Sequence, residues 1–188
     1  VSPENRKVIK RLKKLRSEIL QNSIVNPKQD EINAVIELYN QGEIRDSLST
    51  SKLLLDKYPN ESILYYTNGC CYSSLNQPDN AIDQFKHAID ISSDFVDAHL
   101  NLGNTYKELG QFKMATDCYE YLLQIDSIDA KTCNKAGVFL KSIKQLDSSV
   151  TAYQKALEIN PDYLDASYNL GIIYSEMGEL VAAENSYK

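Results

Sequence analysis

The chain has 188 residues, 43% of them hydrophobic and 24% charged, with a formal net charge of -6. That balance belongs to ordered globular folds and excludes the disordered and collagen-like classes, and no run of about 18 apolar residues suggests a helical membrane span. The charge is unevenly divided: residues 1–20 carry seven Lys or Arg against two Glu, a local +5, so the remainder carries -11, which disfavours DNA or RNA along the body of the chain.

The first twenty residues lack the apolar core of a signal peptide, so the expected location is cytoplasmic. Val8, Leu12, Leu15 and Ile19 recur at spacings of four, three and four. They place an apolar stripe on a basic helix of residues 3–21, which could cap whatever follows, or lie on a partner or a membrane surface. The stripe has no Trp or Phe to anchor it in lipid. Residues 22–30 read as a linker, with Pro27 either ending that helix or starting the next.

From residue 28 a fixed period governs the sequence. Gly69, Gly103, Gly137 and Gly171 recur with a period of 34, and a second ladder of Gly42, Asn76, Gly110, Lys144 and Gly178 has the same spacing. Pro59 and Pro161 are three periods apart. The registers are 28–61, 62–95, 96–129, 130–163 and 164–188, each predicting two antiparallel helices with a reversal at the second ladder. In the first helix of the third unit, Leu102 and Tyr106 share a face beside Gly103, which admits the partner helix. In its second helix Ala115, Tyr119 and Leu122 form the facing stripe. The first unit is the most degenerate, with Ala34, Val35 and Leu38 in its first helix and Ser47, Ser51 and Leu54 in its second, as terminal units of repeat arrays tend to be. The fifth ends at Lys188 within its second helix, which suggests a piece of a longer polypeptide.

These motifs resemble the tetratricopeptide repeat. Its first-helix signature is matched by Leu102-Gly103 with Tyr106 and Leu170-Gly171 with Tyr174, and more loosely by Tyr65, Gly69 and Tyr72 and by Ala136-Gly137 with Leu140. Its second-helix signature is matched by Ala81, Phe85 and Ala88, then Ala115, Tyr119 and Leu122, then Ser149, Tyr153 and Ala156. The resemblance implies an all-α fold of antiparallel helical hairpins wound in a right-handed superhelix, with open ends through which copies of the chain could associate.

It also implies a concave groove lined by first helices. The groove positions are Tyr66, Thr67, Cys70, Ser73 and Ser74 in the second unit; Asp97, Leu100, Asn101, Asn104, Lys107 and Glu108 in the third; Lys131, Asn134, Lys135, Val138, Lys141 and Ser142 in the fourth; and Asp165, Tyr168, Asn169, Ile172, Ser175 and Glu176 in the fifth. The residues singled out for peptide contact are Tyr66, Cys70, Asn101, Asn104, Lys131, Asn134, Lys135, Lys141, Tyr168 and Asn169. Position six of successive units reads Thr67, Asn101, Lys135 and Asn169. In the repeat arrays of protein-glycosylating transferases an asparagine there grips peptide backbone, since an amide both donates and accepts. The lysines suggest an acidic peptide as partner. The family's clamp for a terminal carboxylate is incomplete, because Tyr66 and Cys70 stand where it needs lysine and asparagine.

Four cysteines, Cys70, Cys71, Cys118 and Cys133, lack the paired spacing of a zinc site and read as buried thiols. No Gly-rich loop follows a strand and no two carboxylates converge on a pocket, so neither a cofactor nor a catalytic centre is expected. The function implied is a non-catalytic module that binds polypeptide. The alternative is the substrate-recognition arm of a larger enzyme, because the chain also resembles the repeat regions upstream of bacterial sulfotransferase, hydroxylase or O-linked glycosyltransferase domains.

Overall fold

The computed structural model describes residues 27–186, and the basic segment 3–21 lies outside them. Every element among the described residues is an α-helix: α1 (Pro27–Asn40), α2 (Ile44–Lys57), α3 (Ser62–Ser74), α4 (Pro78–Ile91), α5 (Val96–Glu108), α6 (Phe112–Leu122), α7 (Ala130–Ser142), α8 (Leu146–Ile159), α9 (Leu164–Met177) and α10 (Leu180–Ser186). Residues 27–30, expected to be linker, are the first turn of α1. Pro27 has no amide to leave unsatisfied there, and Asp30 in that turn complements the helix dipole. None of these helices is long and apolar enough to cross a membrane. The chain falls into two compact units, Val1–Ala98 and His99–Lys188, described here in turn.

The period is visible first in the backbone. Gly42, Asn76, Gly110, Lys144 and Gly178 all adopt left-handed conformations, with φ of 78°, 55°, 72°, 65° and 80°. Each ends a first helix in the same way. The Lys144 amide donates to the Lys141 carbonyl and the Gln145 amide to the Leu140 carbonyl, both at 3.0 Å, and the four other turns repeat this pair. Two otherwise orphaned carbonyls are thereby satisfied at each reversal. Asparagine tolerates this conformation; lysine adopts it against the clash of its Cβ.

In the first unit, α1 with α2 and α3 with α4 form two hairpins. Ile32, Val35, Leu54 and Leu64 are buried together, with Ile36, Leu55, Tyr58 and Ile63 packed against them. Ser47 donates to the Val35 carbonyl at 2.9 Å and Ser51 to the Leu64 carbonyl at 3.2 Å, so two buried hydroxyls join helices through backbone oxygens. Lys57 reaches Glu31 at 2.8 Å, and Lys28 pairs with Glu61. In the second hairpin a Cβ on Gly69 would come closer to the edge of the Phe85 ring than van der Waals contact allows.

The second unit repeats that contact. A Cβ on Gly137 would lie 2.6 Å from the Tyr153 ring, and one on Gly103 would lie 3.2 Å from the Cys118 Cβ and 3.3 Å from the Tyr119 ring. The glycine thus admits the partner helix, as expected, and what approaches it most closely is chiefly that helix's aromatic ring. Successive hairpins are tied by Tyr119 stacked on Phe139 at 4.5 Å and by Lys155, which donates to the Leu123 carbonyl at 2.5 Å and the Ile125 carbonyl at 3.3 Å. Ser149 donates to the Gly137 carbonyl at 2.7 Å, three periods on from the Ser47 bond. Helix α7 is capped by Asp129, whose carboxylate accepts from the Thr132 amide at 2.6 Å. That bond holds its pKa below the usual carboxylate value. Tyr119 and Tyr153 occupy equivalent positions, yet only Tyr119 has its hydroxyl paired, donating to Asn104 at 2.6 Å. The Tyr153 hydroxyl is buried with Ser149 beside it but makes no hydrogen bond of ordinary geometry, the Ser149 proton being given to the Gly137 carbonyl, and Val138 stands one period after Asn104.

Three outcomes are expected. Lys144→Gly removes the left-handed penalty and should raise stability by about 1 kcal/mol, read as a higher urea midpoint at unchanged slope. Val138→Asn supplies the missing partner of Tyr153 and should stabilise by about 1 kcal/mol in the same assay, and a loss would mean the amide cannot reach that hydroxyl. Asp129→Ala should cost about 1 kcal/mol at neutral pH. Because the folded-state pKa of Asp129 is depressed, its contribution is present above the unfolded value near 4 and is lost as pH falls through the folded value, so acid melting curves of variant and parent should converge.

Candidate functional site

The first helices of the second unit, α5 and α7, flank a cavity of about 410 Å³ lined by Asn104, Lys107, Tyr119, Asn134, Lys135, Val138, Phe139 and Ser142. Helical spacing explains the set. Asn134, Val138 and Ser142 recur every four residues along one face of α7 with Lys135 at its edge, and Asn104 and Lys107 are three apart on α5. Tyr119 forms the floor: its ring is held over Gly103 and its hydroxyl rises to Asn104. Burial, with the neighbouring Cys118 and Glu108, pushes the Tyr119 hydroxyl up to about 12, so it remains a protonated donor throughout the physiological range.

Of the sequence-derived candidates, Asn104, Asn134 and Lys135 meet at this cavity. Asn169 on α9 donates its side-chain amide to the Asn134 side-chain oxygen at 3.0 Å, so its nitrogen is already engaged. Asn101 is half-buried on α5, one turn before Asn104. The expected patch of three lysines is divided. Lys135 reaches the cavity, Lys131 is exposed in the first turn of α7, and Lys141 pairs with Glu176 on α9 at 3.1 Å. Tyr168 is 61% exposed. In the first unit, Tyr66 is half-buried against Phe95 and Phe85, with ring centroids 4.9 and 6.0 Å away, and Cys70 is buried, which leaves its sulfur little surface to offer a partner.

Sequence reasoning set Lys107, Val138 and Ser142 on the groove face, and all three line this cavity; it placed Tyr119 in the repeat core and did not name Phe139. The Tyr119 hydroxyl was not legible, because the sequence does not show which end of a core tyrosine reaches the surface.

The four cysteines are free thiols and all are buried. Burial raises the Cys133 pKa to about 11 despite the opposing pull of Lys155, and raises that of Cys71 against a hydrogen bond with Ser47. Among the described residues no group of three His, Cys, Asp or Glu stands close enough to hold a metal.

Comparison with known proteins accounts for this architecture. The family described as tetratricopeptide repeat matches residues 96–129, and that described as TPR repeat matches residues 71–110 and 140–178. The chain is 30% identical over 158 residues to the probable UDP-N-acetylglucosamine–peptide N-acetylglucosaminyltransferase SPINDLY of Hordeum vulgare, a match covering 80% of this chain and 17% of that protein. It is 32% identical over 82 residues to the peroxisomal targeting signal receptor of Candida albicans, covering 44% of this chain and 14% of the receptor. The chain thus spans less than a fifth of either relative. The fold is shared with the crystal structure of YrrB, described as a TPR protein with an unusual peptide-binding site, at a TM-score of 0.66 and 22% identity over 93% of this chain and 88% of that one. Helical hairpins with aromatic rings seated on glycine, left-handed reversals at a constant interval and direct family matches lead to one conclusion: the chain belongs to the tetratricopeptide-repeat family.

Proposed function

We propose that residues 99–186 bind extended polypeptide along α5 and α7, with the cavity between them taking a side chain, and that the chain acts without catalysing a reaction. The observation that carries this reading is the cavity itself, a concave opening of about 410 Å³ in which amides and ammonium groups stand beside the apolar surface of Val138 and Phe139. Its lining contains no carboxylate, histidine or thiol. The Ser142 hydroxyl donates to the Phe139 carbonyl and the Tyr119 hydroxyl to Asn104, and the amide and lysine groups around them are suited to hydrogen bonding with peptide. The peptide-binding site in the name of YrrB and the targeting-signal receptor of Candida albicans support the same use of a related fold. Asn101, Asn104, Asn134 and Asn169 are the groups proposed to hold peptide backbone, Lys131, Lys135 and Lys141 to favour acidic sequences, and Tyr168 to offer an aromatic contact. In the first unit, Tyr66 is proposed as a contact on that unit's own α3, with Cys70, buried on the same helix, contributing at most its small exposed edge.

A second reading makes the same surface the substrate-recognition arm of a larger enzyme, a sulfotransferase, hydroxylase or glycosyltransferase. It is supported by the match to SPINDLY over most of this chain. The two readings part at one measurement: peptides that bind the chain are covalently modified by the full-length gene product only under the second.

Peptides selected on the protein from a randomised display library should shift the backbone amide resonances of α5 and α7 in ¹⁵N-labelled protein. Asn101→Ala and Asn169→Ala should each weaken unrelated selected peptides alike, by about 1 to 3 kcal/mol per group left unpaired. Unchanged affinity in both variants would remove this surface from consideration and move attention to the outer face of the hairpins.

A further inference from the structure

The polar atoms around the cavity are sorted by sign. Lys107 and Lys135 can only donate. The Asn104 side-chain oxygen already accepts from the Tyr119 hydroxyl at 2.6 Å and from Lys107 Nζ at 3.4 Å. An ammonium meets an oxygen, so this contact also fixes which way the amide is turned and leaves Asn104 Nδ2 as its unused end. The Asn134 oxygen likewise accepts from Asn169 Nδ2 at 3.0 Å, which leaves Asn134 its own NH₂. Ser142 gives its proton to the Phe139 carbonyl at 2.6 Å. A guest therefore meets two cations and two amide donors against two hydroxyl oxygens whose protons are already engaged. The neighbouring carboxylates do not reverse this. Glu176 is paired with Lys141, Asp129 is engaged in capping α7, and Glu108 is exposed and outside the lining.

We propose that this cavity receives the carboxylate of an acidic side chain in the middle of a bound peptide, held between Lys107 on α5 and Lys135 on α7, with Asn104 and Asn134 completing its hydrogen bonds. The inference rests on the peptide-binding reading above and adds the chemical class of the residue read there. Charged donors make the stronger hydrogen bonds to a carboxylate, and the two amides offset the water it gives up. Val138 and Phe139 give the aliphatic stem of such a side chain an apolar wall, which suits a side chain better than a chain terminus with its adjoining polar amide.

The test uses three pools of heptapeptides, randomised without Asp or Glu outside the central position. One is Glu-centred and one Gln-centred, both acetylated and amidated at their ends; the third is Gln-centred with a free terminal carboxylate. The Glu-centred pool should shift the side-chain NH₂ resonances of both Asn104 and Asn134. It should also bind roughly fivefold more tightly than the amidated Gln-centred pool at low salt, the scale expected of partly exposed ion pairs. The advantage should shrink in about 0.5 M salt, where such charges are screened. Combining Lys107→Gln with Lys135→Gln should erase that advantage, bringing the Glu-centred and Gln-centred pools to equal affinity, with the helical circular dichroism unchanged. Equal binding of the amidated Glu and Gln pools, with α5 and α7 still perturbed, would overturn the acidic-pocket assignment and leave the groove reading standing. Preference for the free-carboxylate pool over the Glu-centred one would overturn it in favour of a chain terminus. No perturbation of α5 or α7 by any pool would remove both readings together.

Discussion

The seating of an aromatic ring on a glycine one helix away is the contact on which the rest of each hairpin depends. Phe85 lies over Gly69 and Tyr153 over Gly137, so close that a single methyl at either glycine would have to displace the ring, while at Gly103 a methyl would press less severely on the Cys118 Cβ and the Tyr119 ring, at 3.2 and 3.3 Å. The rings are buried, as are the alanines Ala81, Ala115 and Ala152 beside them, so bulk on one helix meets its absence on the other. The constant interval between hairpins reflects this pairing. Each ring must meet its own glycine 16 positions earlier, and a left-handed reversal between them is the shortest route that brings the two faces together.

The first hairpin shows how far the rule can bend. Where the later hairpins have glycine and an aromatic, it has Val35 and Ser51, the sizes inverted across the same crossing. Valine fills the space from the first helix, and the serine hydroxyl, too small to fill it from the second, is satisfied by the Leu64 carbonyl on the following helix. The degenerate repeat is thus a different solution to the same packing problem. It trades ring-on-backbone contact for a β-branched side chain and a buried hydrogen bond, which keeps the polar group from being stranded.

Helix identity, order and reversal points were legible in the sequence because each depends on a short-range rule. Glycine or asparagine at Gly42, Asn76, Gly110 and Gly178 signals a left-handed backbone, and the period then carried the assignment to Lys144, whose own chemistry argues against it. The candidate surface was legible only in part. Asn104, Asn134 and Lys135 followed from periodicity on the first helices, but the pairing of Lys141 with Glu176 and of Asn169 with Asn134 depends on how one hairpin is rotated against the next. That rotation is set by contacts such as Tyr119 on Phe139 and Lys155 on the end of α6, between residues that no local pattern links.

The buried thiols have a use of their own. Cys70 and Cys71 lie in one compact unit and Cys118 and Cys133 in the other, all folded away from solvent. Cys71 in the first unit and Cys133 in the second are wholly buried, so a thiol-specific label reaches each only when the helices around it part, and its rate of incorporation reports that local opening. Without any engineered reporter, the chain carries two internal gauges by which the breathing of its two halves can be timed separately.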